Sequence, residues 1–258
     1  TCFNVTNTAL LIGLIPQMER MVCWLLPDKP QPEQEELHLK YIESNLIQTP
    51  EIAVLQAQKE TAHFTQRMQR MFVKVRQLFD EKDDTTFRHL FSQIENQEDL
   101  TDRMELEIAR FLEQVSENHL SDESKVKVRQ MLCDVGELES IGDACYNLAR
   151  TMNRLQESGK TLKGAQRNQL IALMTLCNDA LTQMVTVMSD HRHDHDIRET
   201  YRIENEINLM RQQLRNENIR AVNEREYDYV IGTIYIDLIN ECEKLGDYVV
   251  NVVEARNR

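Results

Sequence analysis

From residue 51 to residue 258 the sequence contains no proline, where ordinary usage of about 5% would place about ten. Nothing in that stretch removes a backbone N–H from helical bonding, so long uninterrupted helices are the expectation. Aromatic residues are scarce at 6% and there is one tryptophan, while Leu, Ile, Met and Val are plentiful, the composition of a helical bundle. There is no Gly-rich loop to cradle a nucleotide or phosphate, and no nucleophile and base at a recognisable spacing, so an enzyme is not expected. A basic patch is also missing. The net charge of −13 argues against nucleic acid and anionic lipid as partners and suits cations. The six cysteines (2, 23, 133, 145, 177 and 242) form no CxxC pair, and they read as small core residues in a reducing compartment, without disulfides. Nothing resembles a signal peptide, and the chain begins at Thr1 rather than at methionine, as expected of a piece of a longer protein.

What is present is a five-residue pattern written twice, Glu139-Ser-Ile-Gly-Asp143 and Glu243-Lys-Leu-Gly-Asp247. Each places two carboxylates at i and i+4, neighbours on one helix face that repel unless a cation lies between them. The flanks repeat too. Leu138, Ile141, Gly142, Cys145, Ala149 and Met152 fall where Cys242, Leu245, Gly246, Val249, Val253 and Arg256 fall, apolar at helical spacing in all but the last pair. At a helical step of about 100° per residue the acidic residues border the apolar stripe rather than fill it. A solvated acidic edge is the plainer reading of any such pair; duplication of the whole local pattern, glycine included, favours metal.

Residues 9–26 are the most apolar stretch, but Pro16, Gln17, Glu19 and Arg20 interrupt it. It reads either as the end of a larger membrane domain, where other helices cover such residues, or as an amphipathic helix. The sequon Asn4-Val-Thr6 carries little weight beside that cysteine usage. Four of the five prolines, Pro27, Pro30, Pro32 and Pro50, then cluster with a Glu/Gln run across the boundary at 27–50, with the linker taken as 28–50. Beyond it we expect six helices, at about 51–80, 85–117, 122–157, 162–189, 196–222 and 225–256, with Thr49 as a cap and Pro50 in the first turn of the first. Helices four to six repeat helices one to three: Glu98 and Asp102 on the second correspond to Glu204 and Asn208 on the fifth. Each half thus supplies two i,i+4 pairs, on its second and third helices, which antiparallel packing with short connections brings face to face across a groove.

The combination of Glu98…Asp102 with Glu139-Ser-Ile-Gly-Asp143, repeated as Glu204…Asn208 with Glu243-Lys-Leu-Gly-Asp247, resembles the PhoU family of phosphate-regulation proteins. That resemblance implies an all-α fold of two tandem three-helix bundles, over 51–158 and 159–258, whose E-x-x-x-D motifs hold transition metal. Phe3-Asn4-Val-Thr-Asn7, the apolar run to Pro27 and Thr49-Pro50-Glu51-Ile-Ala53 look similar to the junction in bacterial sodium-dependent phosphate cotransporters, where a PhoU-like region follows the membrane part. Residues 1–27 would then end a membrane transporter domain. The ligand set so implied is Glu98, Asp102, Glu139, Asp143, Glu204, Asn208, Glu243 and Asp247, for iron, manganese or zinc; oxygen ligands also suit magnesium or calcium.

Asn208 stands where the family pattern has Asp, and Ser140 and Lys244 stand where it often has arginine, so the first half is the more complete site. The function expected is regulation of phosphate transport by a cytoplasmic tail at the inner membrane. Its expected partners are the upstream transporter domain, phosphate recruited through the metal, and a second copy in a homodimer. The alternatives are a soluble PhoU-like adaptor and a metal-free helical scaffold. His191, His193 and His195 alternate with Asp190, Asp194 and Asp196, a tract able to bind zinc or nickel only as an irregular loop and otherwise solvated. His63, His89 and His119 are isolated, and Met68, Met71, Met174, Met184 and Met188 belong to the core.

Overall fold

Six helices follow one another among the residues that the computed structural model describes, 39–42, 49–190 and 197–256. They are α1 (Pro50–Asp80), α2 (Asp84–Ser116), α3 (Asp122–Glu157), α4 (Gly164–Ser189), α5 (Arg198–Asn223) and α6 (Tyr229–Arg256). No strand occurs among the described residues. The apolar segment of residues 1–27, most of the 28–50 linker and the histidine tract lie outside the described residues.

Local sequence sets the helix starts. Asp83 accepts a hydrogen bond from Thr86 N at 2.8 Å, and Ser121 accepts one from Ser124 N at 3.2 Å, satisfying first-turn donors of α2 and α3. Thr49 occupies the cap position of α1 without a side-chain capping bond, and Pro50 stands at the first helical positions, where its missing N–H costs nothing. Glu51 reaches across instead: its carboxylate accepts from Ser121 N at 2.9 Å and from Ser124 Oγ, tying the start of α1 to that of α3. α3 stops at Gly159, whose φ of +65° is the left-handed conformation that ends helices.

α6 begins at Tyr229, four residues later than the periodicity predicts. Arg225 adopts a φ of 58°, a left-handed turn that sequence alone does not signal without glycine or asparagine there. Asp228 then accepts from Ile231 N at 3.0 Å and restarts the helix.

In each half every helix touches the other two, giving the three-helix bundles α1–α2–α3 and α4–α5–α6. The halves meet through α3 against α6, the most extensive contact between the described helices, and through α1 against α4. Equivalent helices therefore pair with each other, as an internal two-fold relation requires, and α2 and α5 lie outermost. One continuous core results, from Phe64, Met68 and Met71 on α1 to Leu238, Ile239 and Leu245 on α6. Cys145, Cys177 and Cys242 are free and fully buried within it, as expected, but Cys133, also free, is exposed on α3 and is no core residue; Cys2 and Cys23 lie outside the described residues. α4 is long and apolar enough to cross a membrane by length and composition, but Leu170, Leu173, Leu181 and Met184 are spent in this core.

Candidate metal centre

Two helices build the first acidic groove. The apolar stripe of α2, including Ile94, Leu100, Thr101, Met104 and Ile108, turns inward, which leaves Glu98 and Asp102 at the edge facing α3. On α3 the buried positions Leu138, Ile141, Gly142 and Cys145 leave Glu139 and Asp143 at the matching edge. Gly142 sets how closely the helices approach: a Cβ there would stand 2.9 Å from Thr101 Oγ1 and 3.6 Å from Met68 Sδ. The glycine inside the motif thus has a packing role, and it brings two i,i+4 pairs from different helices into one another's fields.

Carboxylate oxygens of Glu98, Asp102 and Asp143 lie within 4.8 Å of one another, the one such group of three potential ligands among the described residues. Burial, followed by the charges of Asp102 and Asp143, raises the pKa of Glu98. Burial, then Asp102 and Glu241, raises that of Asp143. Glu139 lies outside the closest group but within its field; burial, Asp143, Asp102 and Glu105 all push its carboxyl up, against a hydrogen bond from Ser140. Asp102 Oδ1 is buried without a hydrogen-bond partner. An orphaned anionic oxygen among mutually repelling carboxylates is a costly arrangement that a cation relieves. Oxygen donors from facing bundle helices fit iron or manganese, so the residues present suit the implied metal.

The second groove has the same frame and different chemistry. Gly246 again permits close approach, its would-be Cβ lying 3.1 Å from Ile207 Cδ1. Glu204 accepts a hydrogen bond from the Asn208 amide. Glu243 accepts from Arg211 through both Nε, at 3.1 Å, and Nη2. Burial, Glu243 and Glu204 raise the pKa of Asp247, and Arg211 opposes them. Lys244 points to Glu241, at 2.8 Å, rather than to the motif. The eight residues expected from the sequence thus fall at two equivalent grooves, and convergence of three ligand atoms occurs at the first.

Two residues escaped the sequence reading. Glu105 contributes to the field at Glu139, and the position 106 residues later is Arg211. The offset that aligns Glu98 with Glu204 and Asp102 with Asn208 also aligns Glu105 with Arg211, so the charge reversal was available in the repeat.

Residues 62–152 match the PhoU domain family, a span that contains the whole first groove. No curated protein sequence matches the chain. Among solved structures, the chain is similar to the phosphate transport system regulatory protein PhoU from Streptococcus pneumoniae, with 16% identity and a TM-score of 0.68 over 81% of this chain and 95% of that one. It is also similar to PhoU from Pseudomonas aeruginosa, with 15% identity and a TM-score of 0.60 over 81% of this chain and 96% of that one. The helical region of this chain therefore has the fold of the PhoU proteins, and its first bundle carries the PhoU domain match.

Proposed function

We propose that this chain is a PhoU-like regulator of phosphate transport whose first bundle holds a transition metal at Glu98, Asp102 and Asp143, with Glu139 beside them. The observation that carries this reading is the convergence of those carboxylates around the unpartnered Asp102 Oδ1, inside the span that matches the PhoU domain. When bound, the metal supplies positive charge to which phosphate can be recruited. The chain's own residues fix the ligands on two rigid helices and keep the helices close through Gly142. No side chain acts as nucleophile or general base in this reading.

In its finer form the chain is the cytoplasmic tail of a sodium-dependent phosphate cotransporter, following the membrane part at the inner membrane. The other form is a stand-alone adaptor, compatible with a helical region that alone spans 95% of the pneumococcal PhoU chain. Fractionation of the native protein between membrane and soluble extract separates the two.

The regulatory reading is tested in the native host by measuring phosphate uptake with the parent gene and with Asp102→Asn/Asp143→Asn at matched protein levels. Altered uptake, or altered response to phosphate starvation, is expected. Parent-like behaviour under both phosphate-rich and phosphate-poor growth would refute the assignment.

A further inference from the structure

The two grooves occupy equivalent places in the repeated frame, so the difference between them is chemical. Glu98, Asp102, Glu105, Glu139 and Asp143 border the first, five carboxylates, and among the described residues no cation contributes to the fields at Glu98 and Asp143. At the same register the second has Glu204, Asn208, Arg211, Glu243 and Asp247, a net charge of two negatives. Three changes act in one direction. An amide replaces an anionic ligand at Asn208, and its N–H occupies Glu204 Oε1. A guanidinium replaces the carboxylate of Glu105, and two of its N–H groups occupy Glu243 Oε1. Arg211 and Glu243 are both largely withdrawn from water, with side-chain exposures of 29% and 16%, so the pair is weakly screened. Arg215, one turn further along α5, lines the same open groove with Arg211, Asn208 and Glu243 and adds a second cation nearby.

We infer that Arg211 is a built-in cation that takes the place of metal in the second bundle, so that the chain holds metal in its first bundle only. A guanidinium cannot be deprotonated in a protein, so the replacement is permanent rather than conditional on pH. Its planar fork suits this position, because Arg211 reaches Glu243 with two donors while leaving Asp247 within its field. The duplicated fold thereby keeps one half as a metal centre and uses the other as a metal-independent copy. The two bundles meet through α3 and α6, the helices that carry Glu139/Asp143 and Glu243/Asp247, so gain or loss of metal acts on one side of a shared interface whose other side stays fixed.

The inference rests on the metal reading of the first groove for its contrast, and the experiment separates the two claims. Binding of Mn(II) to the metal-depleted full chain is measured by equilibrium dialysis for the parent, Asp143→Asn, Asp143→Asn/Arg211→Gln and Asp143→Asn/Arg211→Gln/Asn208→Asp. The first-groove reading requires binding by the parent that Asp143→Asn removes. The Arg211 inference requires that Asp143→Asn/Arg211→Gln then gain binding, and that restoring Asp at 208 strengthen it. The expected gain is about tenfold or more, since a unit positive charge about 5 Å from a divalent ion repels it by that factor even in bulk water.

Residual Mn(II) binding in Asp143→Asn that Glu243→Gln abolishes would overturn the inference while leaving the first groove to stand on its own loss. Failure of both Arg211-free variants to gain Mn(II), with helical circular dichroism intact, would equally overturn it. Should Arg211→Gln unfold the chain, Arg211→Lys provides the check: it retains the charge and must leave the second groove without Mn(II).

Discussion

Asp134 on α3 offers the sharpest stability test. Its side chain is buried at 2% exposure, and its Oδ1 has no hydrogen-bond partner. Burial pushes its pKa from 3.8 up to about 7, with Arg256 opposing and Glu137 adding to the shift. For an acid whose folded pKa is raised, the folded state holds the extra proton between the two values, so stability falls as pH rises through that window. Below about pH 4 the penalty is absent and above about pH 7 it is complete, at roughly 4 kcal/mol for a shift of about three units.

Asp134→Asn removes the titration while keeping the shape. The neutral amide carries its own unmet hydrogen bonds at about 1–3 kcal/mol, but that cost does not change with pH. The useful quantity is therefore the difference in the variant's effect between about pH 5 and about pH 8, which the same linkage sets at about 2.5 kcal/mol in favour of the variant at the higher pH. Urea unfolding followed by circular dichroism, with chelator present at both pH values, measures it. An effect of Asp134→Asn that is equal at the two pH values would refute the reasoning.

Other substitutions probe the packing. Gly142→Ala drives a methyl to 2.9 Å from Thr101 Oγ1, itself bonded to Glu98 O at 2.8 Å; a net loss of about 1–2 kcal/mol is expected after the helix-propensity gain, together with reduced metal content. Gly246→Ala meets Ile207, tightly only at its flexible Cδ1 tip at 3.1 Å and at ordinary contact distance at Cγ2 and Cβ, so unfolding should show a change within about 0.5 kcal/mol once the helix-propensity gain offsets the contact. Asn218, buried at the α5–α6 turn, donates to Gly232 O at 3.0 Å and accepts from Tyr227 Oη at 2.7 Å. Asn218→Ala should cost about 1–2 kcal/mol by denaturant titration, because Tyr227 Oη loses this acceptor and α5 loses its tie to the Gly232 carbonyl, which keeps its helical bond.

Most of the helical frame is legible in the sequence because its signals are redundant. Absence of proline, apolar residues at helical spacing and a repeat offset all agree, and the stripe Val54, Ala57, Phe64, Met68, Met71, Val75 and Leu78 is buried as its periodicity implies. The late start of α6 was not legible, because a left-handed Arg225 is fixed by the surrounding turn and not by its own propensity. At the site, spacing identified the carboxylates, and the helix-edge geometry placed them at the grooves. It could not show which oxygens converge: the distances depend on how closely α2 and α3 pack at Gly142. The identity of the second groove's cation depended on one residue, Arg211, one turn beyond the motif pair and so outside the pattern being matched.

The most direct test of the account is the metal content of the full chain, purified without chelator and measured by elemental mass spectrometry beside Asp102→Asn/Asp143→Asn. These near-isosteric changes at the groove's edge should preserve the helical fold, which circular dichroism checks. Iron, manganese or zinc carried by the parent and lost from the variant is the predicted result. A parent that takes up none of these metals even after incubation with each, or a variant that retains the parent's content, would contradict the assignment of the first groove.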